Sequence, residues 1–478
     1  MAERNVDVAI IGAGTAGMRA YREASKLTNS ILLIEGDQYG TTCARVGCMP
    51  SKLLIAAAEA AHHGERVRPM GVHYEPAKIN GAEIMGRIKS ERDRFVGFVK
   101  EAVEEWPAEH RVMAHAAFKD DHTLQLSNGD VVKAARIVIA TGSRPKVFPV
   151  FESAGDRLIV NDDVFDWADL PGSVAVFGGG VIGLELGQAL HRLGVRVALF
   201  GKDCLVGPLT DNEVRKCALQ IFTDEMDYYP DADFSRIEKV GDAVEIDHKV
   251  DGAETTSRFD YVLVATGRQP NVDKLGLENT SLKLDDRGVP VFNPLNTTTS
   301  VDHIFIAGDA DNKLPLLHVA ADDGYVAGYN AGRFPDIRSF AKVSPLSVVF
   351  SDPQIMMCGE TYRDLTDRDA DFETGSIDWS DQGRARVMLV NKGLLRVYGE
   401  KGTGLFLGAE MVGPAAEHIA HLLGWAHQSK LTVHEILERP FYHPVMEEGV
   451  RTALRNLNYA LQMGPPPPPR CIDCGPGG

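Results

Sequence analysis

The chain has no excess of basic residues, no long apolar run and few cysteines, and each shortage excludes a class of protein. Fifty Lys and Arg stand against 67 Asp and Glu, a formal net charge of −17. A surface that binds phosphate backbones needs the opposite balance, so nucleic acid is excluded as the main partner. No apolar stretch reaches the ~18 residues of a membrane span, so no membrane partner is expected. The opening MAERNVDVAIIGAG has neither the basic start nor the small-residue cleavage site of a secretory leader. A cytoplasmic location is the expectation. Seven cysteines in 478 residues are odd in number and sparse, unlike a secreted disulfide framework. Cys204, Cys217 and Cys358 stand alone and read as inert thiols. The informative pairs are Cys43/Cys48 and Cys471/Cys474.

What is present is a duplicated glycine signature. An apolar run from Val6 to Ile11 leads into Gly12-Ala-Gly14-Thr-Ala-Gly17, a helical stretch to about Lys26 and a second run, Ile31 to Glu35. The same order recurs from Val174: a strand to Phe177, then Gly178-Gly-Gly180-Val-Ile-Gly183, a helix to about Leu193 and a strand from Val195 to Phe200. Continuous apolar runs of this length fit buried parallel strands. In G-x-G-x-x-G the first glycine makes a tight turn and the second lets a pyrophosphate approach the backbone. The third lets helix and strand pack closely, while the helix N-terminus offers free N–H groups to the anion. Two copies in strand–helix context imply two dinucleotide sites. Each unit later carries a strand closed by Ala-Thr-Gly-x-x-Pro, at Thr141-Gly142 and Thr266-Gly267, an internal repeat. A third apolar run, Ile304 to Ala307, ends in Gly308-Asp309 and suits a hydroxyl-rich ligand chain.

From about Ser344 the pattern changes to alternation. Ser347 to Phe350, Arg386 to Val390 and Leu405 to Met411 predict an antiparallel sheet, followed by helices near Ala415 to Gln428 and Glu447 to Gln462. The length fits about three domains. The expected division is residues 1–150 with 272–343, then 151–271, then 344–463, and a Pro-rich tail at 464–478.

Between the first unit and its later half lies Thr42-Cys43-Ala-Arg45-Val-Gly47-Cys48-Met-Pro50-Ser-Lys52. If this segment opens a helix, the two sulfurs come within bonding range and the helix N-terminus favours a thiolate. Two unrelated thiols are the alternative. A zinc site is disfavoured, because no second ligand pair has suitable spacing.

These residues, with His443-Pro444-x-x-x-Glu448, resemble the pyridine nucleotide–disulfide oxidoreductases: the dihydrolipoamide dehydrogenases, glutathione reductases and mercuric reductases. The likeness runs from residue 5 to about 463. It departs from the family pattern where Arg45 replaces an Asn and Thr41 replaces a Gly. The resemblance implies an α/β fold of two Rossmann-like dinucleotide-binding domains (the glutathione reductase-like FAD/NAD(P) arrangement) with an α+β C-terminal dimerisation domain. By that division, 1–150 and 272–343 bind FAD, 151–271 binds NAD(P) and 344–463 forms the interface. It implies a redox-active Cys43–Cys48 disulfide, with Cys48 facing the flavin and Cys43 the substrate. His443, oriented by Glu448, would be the acid–base group, supplied across a homodimer. Gly12, Gly14, Gly17, Glu35, Thr141, Gly142 and Asp309 would contact FAD. Lys52 and Glu185 would pair near its ring. Gly178, Gly180, Gly183, Lys202 and Gly267 would serve NAD(P).

Leu316-Leu-His318-Val-Ala before Asp322-Asp-Gly324 resembles the dihydrolipoamide dehydrogenases, with His318 placed beside FAD. That implies dihydrolipoamide as the dithiol substrate and a possible place in a multienzyme complex. The alternative is an NADPH-dependent disulfide or metal-ion reductase. Gly201-Lys202-Asp203 stands where an NAD enzyme has an acid for the ribose 2′-hydroxyl, which leaves NAD and NADP both open. The tail pair Cys471/Cys474 has three readings: electron relay, metal ligand or inert thiols.

Overall fold

The computed structural model describes residues 2–250 and 252–466; the Cys471/Cys474 pair lies outside them. The buried run Val8–Ile11 is the centre of the first sheet. Its strand, Glu3–Ile11, is flanked in parallel by Ile31–Glu35 and by Val131–Ile139, with Ile11 level with Ile34 on one side and Ile139 on the other. Arg111–Met113 extends the parallel run outward. Ile304–Ile306 pairs with the last residues of Val131–Ile139. The first half of that long strand pairs instead with the antiparallel Thr123–Leu126 and, through it, Ala116–Asp120. Chain from beyond residue 300 thus completes a sheet begun at residue 3.

Helices Thr15–Ala24 and Leu317–Arg333 pack on this sheet with their backbones almost in contact. A Cβ on Gly324 would lie 2.3 Å from the Ala16 carbonyl oxygen, and one on Gly328 would lie 2.2 Å from that of Ala20. No larger residue fits at either place.

The second sheet is wholly parallel, with Ser173–Phe177 between Arg196–Phe200 and Tyr261–Val264, and Asp227–Tyr229 and Leu158–Ile159 at the edges. An antiparallel meander, Phe234–Val240, Ala243–Val250 and Ala253–Phe259, accompanies it. A separate short ribbon pairs the repeated motifs of the two units with each other. Ser143–Pro145 lies antiparallel to Arg268–Pro270.

The third sheet is antiparallel, in the order Leu346–Val349, Gln354–Gly359, Phe406–Gly413, Leu394–Glu400, Phe372–Asp378. Helices Ala416–Gln428 and Glu447–Ala460 share its core. One expected strand is corrected: residues 386–390 do not form one. Gly383–Val387 is a helical turn, started by Gln382, whose side chain accepts the Ala385 N–H. Ala385 is buried while Val387 is exposed, so the apparent alternation has no sheet face behind it. The strand lies further on, at Leu394–Glu400.

The units meet around one helix, Cys48–Arg66. Its Leu54, Ile55 and Ala58 share a core cluster with Leu184 and Ala189 of helix Val181–Arg192 and with Val349 and Ile355 of the third sheet. A fully buried carboxylate fastens the second and third units. Glu410 accepts the N–H groups of Thr210 (2.6 Å), Asp211 (2.9 Å) and Tyr362 (2.9 Å). A buried carboxylate is stable only with such a donor set. No helix among the described residues is long and apolar enough to cross a membrane.

Candidate active site

The two glycine turns obey the same steric rule. Gly12 has φ +107°, and a Cβ there would lie 2.3 Å from the Ala140 carbonyl oxygen; Gly178 has φ +122° and the same 2.3 Å conflict with Ala265. A Cβ on Gly17 would come within 1.8 Å of the Gly12 oxygen, and one on Gly183 within 1.9 Å of the Gly178 oxygen. Gly14 and Gly180 have no heavy atom within 4 Å of the place a Cβ would take. Each is the N-cap of its helix, with no side-chain cap and no acid in the first turn. The first N–H groups of both helices are therefore open to an anion, and both helix ends carry positive dipole charge toward it.

Around the first turn the residues fit FAD. Glu35, at its strand's end, accepts the Ala13 N–H at 2.8 Å and the Asp37 N–H at 3.2 Å, so the carboxylate is fixed beside the glycines. The Thr141 hydroxyl is buried without a protein partner, a polar atom that calls for a ligand. Gly142, at φ +66°, has open space where a side chain would stand. Asp309 follows strand Ile304–Ile306 and accepts the Ser143 hydroxyl at 2.8 Å. His318 is exposed in the first turn of helix Leu317–Arg333.

The second turn lacks the strand-end acid. Gly201 occupies its place, and a Cβ there would lie 2.8 Å from the Pro230 carbonyl oxygen and 3.1 Å from the Tyr228 ring. Backbone, not only sequence, excludes a carboxylate at this position. Lys202 and Asp203 are exposed in the turn that follows. Gly267, at φ +120°, also faces open space.

The cysteine segment forms two helices rather than one. Thr42–Val46 is a single turn capped by Thr41, whose hydroxyl accepts the Ala44 N–H at 3.1 Å. Gly47 then breaks the path (φ −126°, ψ −118°), and Cys48 is the first residue of the long helix. Cys43 and Cys48 are two free thiols, with Cys43 half-buried and Cys48 exposed. The hydrogen bond from Cys43, then the positive charge of Lys52, draw the Cys48 thiol down to about 7 against the opposing effect of burial. The same bond, with burial, pushes the Cys43 thiol up. This is the asymmetry of a thiol donating to a thiolate. Lys52 Nζ lies 2.6 Å from Glu185 Oε2 and 4.6 Å from the centre of the Phe350 ring. Glu185 is nearly buried and also accepts the Phe350 N–H at 2.9 Å. The expected Lys52–Glu185 pair is formed.

His443 and Glu448 also meet. His443 Nδ1 lies 3.0 Å and 3.1 Å from the two Glu448 oxygens. A carboxylate only accepts, so Nδ1 carries the proton and Nε2 is left as the basic nitrogen. Glu448 is buried and further held by the Val445 N–H (3.2 Å) and Arg451 (3.3 Å). Among the described residues, no hydrogen bond or ion pair joins His443 to either cysteine of its own chain.

Two of the lone cysteines, Cys217 and Cys358, carry raised thiol pKa values. Burial pushes Cys217 up to about 11 and Cys358 up to about 12, so neither is a nucleophile at neutral pH. Sequence reasoning missed three neighbours of the site. Asn161 donates to the Val46 carbonyl at 2.9 Å and so holds the loop between the cysteines. Phe350 supports Glu185. Arg268 bonds Ser143 from across the ribbon. Ser143 and Arg268 sit at the variable positions of the repeated Ala-Thr-Gly-x-x-Pro motif, which was a usable signal.

Residues 6–324 match the family described as pyridine nucleotide-disulphide oxidoreductase, and residues 346–454 match its dimerisation domain. The dihydrolipoyl dehydrogenase of Haloferax volcanii is 31% identical over 461 residues, covering 94% of this chain and 96% of the relative. That of Geobacillus stearothermophilus is 28% identical over 450 residues, covering 92% and 93%. Among solved structures, LpdA from Mycobacterium tuberculosis superposes with a TM-score of 0.79 at 23% identity, covering 95% of this chain and all of that one. The HOCl-induced flavoprotein disulfide reductase RclA from Escherichia coli gives 0.77 at 23% identity, covering 94% and 99%. These two likenesses bear on the fold alone. With two dinucleotide cradles, a paired-thiol helix between them and a family match over most of its length, the chain belongs to the pyridine nucleotide-disulphide oxidoreductases, which pair FAD with NAD(P).

Proposed function

We propose that the chain is a dihydrolipoamide dehydrogenase. It would take two electrons from a dithiol through Cys43 and Cys48 and pass them by way of FAD to NAD+. The observation that carries this reading is the polarised thiol pair at the start of helix Cys48–Arg66. The nearly full-length likeness to proteins named dihydrolipoyl dehydrogenase supports the substrate. FAD, when bound, supplies the two-electron carrier between the cysteines and the nucleotide. We assign its binding to residues 1–150 and 272–343, that of NAD(P) to 151–271 and the subunit interface to 344–463.

The chain's own residues account for the proton and sulfur steps. His443 Nε2 takes the proton of a substrate thiol. The resulting thiolate attacks Cys43 of the oxidised pair, a Cys43–substrate bond forms and the Cys43–Cys48 bond breaks. Cys48 leaves as a thiolate, which its lowered pKa favours. The second substrate thiolate then displaces Cys43, closing the substrate disulfide and leaving the pair reduced. Overall, the dithiol and NAD+ give the disulfide, NADH and one proton. In a homodimer His443 would reach the cysteines of the partner subunit. The match to a dimerisation domain and the exposure of Trp425 and Tyr442 support that arrangement. A place in a multienzyme complex would follow from the substrate.

Gly201 and Lys202 favour a second reading, an NADPH-dependent reductase of another disulfide or of a metal ion. With no acid at the strand end and a cation beside it, a 2′-phosphate is admitted there. One assay separates the two readings. Purified holoenzyme is given dihydrolipoamide with NAD+, and separately NADPH with glutathione disulfide or Hg(II). Lipoamide turnover above ~1 s⁻¹, at the low end of ordinary enzyme rates, supports the first reading. Its absence together with NADPH-driven turnover overturns it.

A further inference from the structure

We propose that Arg268 is a positioning residue for the flavin site, acting on Asp309 through Ser143. The inference rests on the reading that Asp309 faces the ribityl chain of FAD. Arg268 belongs to the second unit's Thr-Gly motif, Ser143 to the first unit's, and Asp309 to the strand end that completes the first sheet. Three bonds connect them. Arg268 Nε donates to Ser143 Oγ at 2.8 Å, Arg268 Nη2 donates to the Ser143 carbonyl at 2.7 Å, and Ser143 Oγ donates to Asp309 Oδ2 at 2.8 Å.

The direction of this chain of bonds is fixed by chemistry. A guanidinium has only donors. The Ser143 hydroxyl must therefore accept from Arg268, and its single proton is committed to Asp309. Ser143 is buried, so water does not compete for that proton. A hydroxyl polarised by a cation is a stronger donor to a carboxylate than a free one. One Asp309 oxygen is thereby held, and the rotamer of the carboxylate is set before any ligand arrives.

The positive charges of Arg268 and Arg45 both act on the Asp162 carboxyl, against the larger opposing effect of its burial. The neighbouring Asn161 donates both to Asp162, at 2.9 Å, and to the Val46 carbonyl between the two cysteines. None of these contacts touches the glycine cradles, so the cradles do not replace them.

The test is a double-mutant cycle read as FAD release from holoenzyme, followed by flavin fluorescence. Arg268→Met and Ser143→Ala are each expected to weaken FAD binding about tenfold, in the range of one hydrogen bond to a charged group. The double variant should lose no more than about twofold beyond Ser143→Ala, because both changes break one relay. Arg268→Lys, which keeps the charge but not the two parallel bonds, should fall between wild type and Arg268→Met, and it serves if Arg268→Met fails to fold. KM for the nicotinamide nucleotide should stay within about twofold. Additive losses, or a change in that KM with FAD affinity intact, overturn the proposal. Asp309→Ala separates it from the reading beneath. If Asp309→Ala leaves FAD affinity unchanged, Asp309 does not hold the flavin. If Asp309→Ala weakens FAD and the Arg268 variants do not, the relay alone is wrong.

Discussion

The first and second glycine turns share two steric conflicts to within a tenth of an ångström and the same open middle position, yet the strand beside each ends differently. A Cβ on Gly12 or Gly178 would lie 2.3 Å from a carbonyl oxygen, and one on Gly17 or Gly183 would lie 1.8–1.9 Å from the oxygen of the turn's first glycine. The first unit then offers Glu35, pinned by two backbone N–H groups. The second offers Gly201, crowded by the Pro230 carbonyl. In the proposed function the shared part would serve what every dinucleotide has, a pyrophosphate, and the divergent part what distinguishes one dinucleotide from another. The two turns share a steric core and differ in the residue that ends the neighbouring strand.

The sharpest way to break the comparison is to fill the third glycine of each turn. Gly17→Ala should abolish FAD retention and lower stability by ~1–3 kcal/mol or more, as overpacking against a carbonyl does. Gly183→Ala should leave the protein yellow but reduce nicotinamide-driven turnover at least about a hundredfold. Flavin absorbance and thermal melting of the two variants check this. If both lose flavin equally, the units are not separable. Next in size are the middle glycines. Gly14→Ala and Gly180→Ala meet no protein atom, so melting should stay within about 2 °C. The first should weaken FAD, and the second raise KM for the nucleotide, by about tenfold each, because only the approaching pyrophosphate is hindered.

A smaller effect is expected where the units touch charge to charge, at Lys52 and Glu185. In the reduced enzyme the Cys48 thiolate should be half formed near pH 7, rising above it and disappearing below. Removing the cation in Lys52→Met should move that midpoint upward, toward the ordinary thiol range. Cys43→Ala, which removes the largest cause of the shift, should move it further. Thiolate absorbance against pH reads both, and an unchanged midpoint in Cys43→Ala contradicts the hydrogen-bonded pair. The smallest change is expected from Lys202→Glu. On an exposed turn, one charge reversal should shift the NADH to NADPH preference toward NADH by about two- to fivefold, in the range of surface electrostatics. The ratio of kcat/KM values measures it. A shift in the other direction places the 2′ position elsewhere.

Much of this was legible in the chain itself, for a physical reason. The glycine turns are local: strand, turn and helix lie within about 30 residues, and the glycines have no substitutes. The cysteine pair and His443-x4-Glu448 are likewise short-range: His443 and Glu448 meet, while Cys43 and Cys48 stand as two free thiols. Residues 386–390 misled because alternation over five residues does not distinguish a sheet face from a solvent-facing helical turn started by a distant-looking Gln382. The antiparallel meander at 234–259 was missed for the converse reason: its exposed, charge-rich faces show little apolar signal. Asn161, Phe350 and Arg268 were missed because their partners are 115, 165 and 125 residues away. Such pairings are set by the tertiary arrangement of the units and leave no periodic trace.

The backbone contact between helices Thr15–Ala24 and Leu317–Arg333 has a consequence for biosynthesis. The helix that Gly14 caps lies against Gly324 and Gly328, some 300 residues further along the chain. At ~5–20 residues per second, a ribosome needs on the order of 15–60 s to bridge that gap. Throughout that interval the nascent first unit lacks both its closing strand, Ile304–Ile306, and the helix that buttresses the cradle. The second unit, contiguous between Leu158 and Val264, has no such wait. The second unit's parallel sheet is therefore the one whose strands are all made first, while the first unit's sheet waits for chain from beyond residue 300.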